Sequence, residues 1–72
     1  GNFAVIETAP REFLAGSTIY QSQVRRRFGV VIVAVRKSDG EWQFAEPDLL
    51  IEEGDELLVA GPTKKAEAFS RR

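Results

Sequence analysis

The sequence predicts a small α+β domain, with helices packed on a mostly antiparallel sheet, and three observations carry that reading. At 72 residues the chain is long enough for one hydrophobic core and too short for two. Its apolar residues fall into short strand-like runs separated by Pro, Gly and Asp-Gly breaks. After the first run and again at the end, apolar residues recur instead at helical spacing. The predicted order is β-α-β-β-β-α. Residues 3–72 are read as one domain, with Gly1 and Asn2 outside it, and the chain is expected to be a piece of a longer protein.

Phe3 to Thr8 alternates loosely and is β-branched, so it reads as a strand that Pro10 ends, and Arg11 to Gly16 reads as a loop. Thr18 followed three residues later by Gln21 fits a capping box, in which a hydroxyl and an amide satisfy free donors at a helix start. That helix is predicted to run unbroken to about Phe28. Tyr20, Val24 and Phe28 then form one apolar stripe, Arg25, Arg26 and Arg27 occupy the last turn, and Gly29 lies just past the end. Arg26 and Arg27 complement the helix dipole, with Arg27 on the solvent side. Arg25 follows a stripe residue, so its guanidinium emerges beside buried surface, where a bidentate donor to an anion is strongest.

Val30 to Val35 is apolar on both alternating faces, as in a strand covered on both sides. Asp39-Gly40 favours a tight hairpin with φ > 0, which would return Trp42 to Ala45 antiparallel with Trp42 and Phe44 on one face, in the core or at a dimer face. Leu49 to Ile51 is a short apolar patch, Glu52 to Asp55 a turn, and Glu56 to Ala60 a strand that Gly61-Pro62 stops. Thr63 is placed as the cap of a final helix that buries Ala66 and Phe69 and keeps Lys64, Lys65, Arg71 and Arg72 wet.

Composition narrows the function. There is no Cys and no His, so neither a disulfide nor a zinc site can staple so small a core, and self-association, at least to a homodimer, is the expected source of further buried area. The chain predicts no enzyme, because no nucleophile can be paired with a base. The longest uncharged apolar run, Gly29 to Val35, is far below the ~20 residues that cross a bilayer, and a cytoplasmic location is expected. Charge is balanced overall at −1 but divided along the chain: +4 over residues 1–37, −8 over 38–63 and +3 over 64–72. A balanced total speaks against nucleic acid as a partner. The acids Glu46, Asp48, Glu52, Glu53, Asp55 and Glu56 are read as solvated turn residues, not as a divalent-cation site.

Several of these pieces occur together: Gly16-Ser17-Thr18-Ile19, Val24-Arg25, the run Phe28 to Arg36, Pro47, and Gly54-Asp55-Glu56-Leu57-Leu58-Val59-Ala60-Gly61. In that order they resemble an RCK-C (TrkA-C) domain over nearly the whole chain. The resemblance implies a cytosolic regulatory domain of a potassium channel, potassium transporter or related ion-transport system. It also implies a homodimer that binds a small anionic effector, such as cyclic di-AMP or another nucleotide, at its interface. By position the implied pocket is lined by Ile19, Tyr20, Val24, Arg25, Val31 and Pro47, with Arg25 facing phosphate and no resident cofactor or metal. The chain carries Val31 where cyclic di-AMP binders often have Asn, Tyr20 in place of a smaller aliphatic residue, and Ser17 where Lys is usual. The alternative is a purely structural dimerisation domain of a transporter.

Overall fold

A computed structural model describes residues 2–70. Phe3–Thr8 (β1), Val31–Arg36 (β2), Trp42–Phe44 (β3) and Glu56–Pro62 (β4) form one sheet in the order β1-β4-β2-β3, every neighbouring pair antiparallel. Ile19–Ser22 (α1), Val24–Phe28 (α2) and Thr63–Ser70 (α3) are its helices.

Register explains which face is buried. Ile6 pairs with Val59, which pairs with Ile32, and Thr8 pairs with Leu57, which pairs with Val35. Because side chains alternate across a strand, these rows share a face. Ile32, Val35, Leu57 and Val59 on that face join Leu14, Val24, Val30, Ile51, Ala66 and Phe69 in one buried core. The opposite face carries the rows Val5–Ala60–Val31 and Glu7–Leu58–Ala34–Phe44. Among the described residues no helix covers it, and Val5, Val31 and Phe44 are exposed. A β-bulge between Ile32 and Ala34, where two residues of β2 oppose one of β4, leaves Val33 exposed as well. The sequence predicted a strand covered on both sides; in one chain it is covered on one.

The predicted order of elements is observed, and the differences have local causes. The helix expected from Thr18 to Phe28 is two short segments, interrupted at Gln23, which adopts the left-handed conformation at φ 49°. The hairpin between β2 and β3 is not a tight Asp-Gly turn: Arg36 pairs with Trp42 across a loop of residues 37–41, and Gly40 is not among the glycines with positive φ. Lys37 leaves the ladder there to bond Leu50, Glu52 and Asp55. Gly61-Pro62 does not stop β4, which pairs on to Phe3; beyond Ala60 it has β1 as its one neighbour, and an edge tolerates Pro. Thr63 is the first residue of α3, and its amide donates to the Asn2 carbonyl at 2.9 Å. Arg11 to Gly16 contains a single 3₁₀ turn, Glu12–Leu14, that drives Leu14 into the core. Gly1, Arg71 and Arg72, named in the sequence reading, lie outside the described residues.

Candidate functional site

The N-terminal end of α1 is laced to the loop that follows β3. Gly16 N–H donates to the Ile51 carbonyl and Ile51 N–H to the Ser17 carbonyl, both at 2.8 Å. Ile19 N–H donates to Leu49 at 2.9 Å and Tyr20 N–H to Pro47 at 3.0 Å. The Leu49 and Pro47 carbonyls take amides that a helix start leaves without partners. The predicted capping box forms: Gln21 N–H donates to Thr18 Oγ1 at 3.1 Å, and Thr18 N–H to Gln21 Oε1 at 2.9 Å.

Gln23 then turns the chain. Its left-handed backbone ends α1 and starts α2, and its side-chain amide donates to the Tyr20 carbonyl at 2.7 Å. Ser22, buried beneath, donates its hydroxyl to the Ile19 carbonyl at 2.6 Å. Arg27 closes the break by donating Nη1 to the Ser22 carbonyl at 3.2 Å, its guanidinium 5.0 Å from both the Phe13 and Phe28 rings. The sequence placed Arg27 on the solvent side, complementing the helix dipole; it is pinned, because the helix break exposes a carbonyl within its reach. The same break takes Tyr20 off the expected stripe. Val24 points into the core, whereas Tyr20 stays 70% exposed.

Between α1, α2 and the start of β2 lies an open depression of about 670 Å³. Five of the six residues singled out in the sequence line it: Ile19, Tyr20, Val24, Arg25 and Val31. Pro47 does not line it; it sits beside it, its carbonyl holding the Tyr20 amide. Gln23, Arg26, Ile32 and Ala45 also line the depression and were missed. Arg26 carried a signal, as part of the arginine triplet. Gln23 carried none, since Gln has no special preference for the left-handed region. The floor is thus aliphatic and the rim cationic, and neither Arg25 nor Arg26 has an ion-pair partner among the described residues. Such a surface can hold an apolar or aromatic group against its floor while guanidinium groups meet phosphate or carboxylate oxygens.

Of the six acids, Glu46, Asp48, Glu52 and Glu53 are exposed, as the reading of solvated turn residues expects, and Asp55 departs from it. Asp55 is 3% exposed; its Oδ2 accepts from Lys37 Nζ at 2.8 Å and from the Glu52 amide at 2.8 Å. Glu52 also pairs with Lys37, at 3.0 Å, and Glu56 pairs with Arg36, whose guanidinium lies over Trp42. Asp55, Glu52 and Glu56 are therefore structural ion-pair partners. Among the described residues no group of three His, Cys, Asp or Glu side chains converges to hold a metal ion, and no helix is long and apolar enough to cross a membrane.

A model of the TrkA-C domain matches residues 4–72. The chain belongs to the TrkA-C family. As a TrkA-C domain it shares its fold with solved RCK structures. The GsuK RCK domain superposes with a TM-score of 0.83 at 26% identity, over 94% of this chain and 15% of that one. The GsuK channel bound to NAD gives 0.82 and 26%, over 94% and 13%. The RCK C domain of the potassium transport protein KtrA, in complex with cyclic di-AMP, gives 0.79 and 25%, over 94% and 80%. The chain thus spans about one seventh of the GsuK chains, and most of the KtrA domain. No curated protein matches it. The α+β class and the RCK-C resemblance read from the sequence agree with these findings.

Proposed function

We propose that this TrkA-C domain is the cytoplasmic effector-sensing and dimerising module of a potassium-transport system, and that its effector is a small anion, a cyclic dinucleotide or other nucleotide. The observation that carries the reading is the depression itself. An aliphatic floor of Ile19, Val24 and Val31 lies beside Arg25, open to solvent on one side, as half of a site would be. Two-fold symmetry would set two such halves face to face, offering two equivalent guanidinium groups to a ligand with two phosphates. Val31 belongs both to the depression and to the uncovered sheet face, so one association could close the pocket and cover Val5, Val33 and Phe44. The cyclic di-AMP bound to the KtrA domain and the NAD bound to the GsuK channel support the ligand class. The parent protein would be a membrane transporter, channel or associated subunit.

A thermal-shift screen of cyclic dinucleotides, adenine nucleotides and NAD(H) tests this. A binder should raise the midpoint by mass action, and Arg25→Ala should weaken it about tenfold, the worth of one charge-assisted contact. The uncovered apolar face favours a second reading, a dimerisation domain with no effector. That reading takes over if none of these compounds shifts the midpoint while the chain remains dimeric.

A further inference from the structure

A second depression, of about 450 Å³, lies between α2 and α3, and its walls are cationic. Arg11, Arg25, Arg26, Arg27 and Lys65 line it around Gly29, and no carboxylate does. None of the five is ion-paired among the described residues. Two of them are fixed in place. Arg11 donates Nη1 to the carbonyls of Ala68 at 3.3 Å and Phe69 at 3.5 Å, with its guanidinium 5.4 Å from the Phe13 ring. Arg27 is held by the Ser22 carbonyl and the Phe13 and Phe28 rings. Each of these carbonyl bonds uses one terminal nitrogen, and a guanidinium has five N–H donors, so both retain donors for a ligand. The stem of Lys65 crosses Gly29 closely enough that a Cβ there would come within 2.7 Å of its Cδ and 3.1 Å of its Nζ.

Gathering like charges without a counter-ion raises the energy of the folded chain, and an anion that bridges them relieves it. The concavity favours a small anion over a polymer, because its volume falls within the roughly 300–1,000 Å³ of small-ligand sites. Planar guanidinium donors favour phosphate oxygens, which they can meet in pairs. We propose that this basic depression binds a small anion carrying two or more linked phosphates, at a site that shares Arg25 and Arg26 with the effector depression and adds Arg11, Arg27 and Lys65. Lys65 lines only this depression and Val31 only the other, so Lys65→Ala and Val31→Ala tell failure of this proposal from failure of the effector site.

Calorimetric titration with inorganic tripolyphosphate, at an ionic strength near 0.15 M to screen diffuse attraction, is the test. The expected result is saturable binding of one anion per chain. Lys65→Ala should weaken it about tenfold, as loss of a charge-assisted contact implies. Lys64→Ala removes the same charge from the adjacent residue, which does not line the depression, and should change affinity less than about twofold, as expected of a screened surface charge. Val31→Ala should leave it unchanged. Absence of saturation, or equal losses at Lys64 and Lys65, would overturn the proposal.

Discussion

The carboxylate of Asp55 takes two hydrogen bonds on one oxygen, from Lys37 and from the Glu52 amide, and so ties the turn before β4 to the end of β2. Asp55→Ala would leave the Glu52 amide unpartnered and the Lys37 ammonium with only Glu52 and the Leu50 carbonyl, and we expect a loss of about 2 kcal/mol in urea denaturation, with Asp55→Asn losing less because its carbonyl still accepts the amide. Apart from its place in the family resemblance, Asp55 reads in sequence like Glu53 or Asp48, because its burial depends on Lys37, eighteen residues away along the chain. Lys37 itself has a direction in pH. Burial pulls its ammonium down, but the hydrogen bonds and charges of Asp55 and Glu52 outweigh that and hold it above its ordinary value of 10.5. A group raised on folding contributes stability in full below its unfolded value, and loses it as pH rises through the folded one. Stability should therefore fall above pH 10.5, and Lys37→Gln, followed by urea midpoints across that range, should show a shallower fall.

At the scale of elements, strands were more legible than helices. β1 and β2 announce themselves by β-branched runs, and Gly29, at φ 72°, ends α2 where its position past the stripe predicted. The α1–α2 break was not legible, because it depends on tertiary bonds: Pro47 and Leu49 hold one side and Arg27 the other. The depression was legible as a set of residues through the family resemblance, yet its shape depends on that break. Gly61 shows the same dependence within β4. A Cβ there would stand 2.9 Å from Val30 Cγ1 and 3.2 Å from the Gly29 carbonyl, and Val30 is fully buried with no room to move. Gly61→Ala should cost about 2 kcal/mol through overpacking, read as a lowered thermal midpoint. Gly40→Ala, with open space around it, should change the midpoint little.

For the whole molecule, the sheet has one covered and one uncovered face, and the uncovered one carries Phe44 at 78% exposure together with Val5, Val31 and Val33. Contiguous apolar area of this kind marks association surfaces on soluble domains. Light scattering at micromolar concentration should give twice the 8.0 kDa chain mass, and Phe44→Glu should shift the chain toward monomer without unfolding it, since Phe44 is no part of the core. The sequence indicated self-association through its small, unstapled core, whereas which face is free followed from the strand register alone. In the proposed function, dimerisation and effector binding meet at Val31 and Arg25, and the stoichiometry of binding tests their coupling most directly. Calorimetry with whichever nucleotide raises the thermal midpoint should give one ligand per two chains, with affinity lost on Arg25→Ala. One ligand per chain, or binding indifferent to Arg25, would contradict the account.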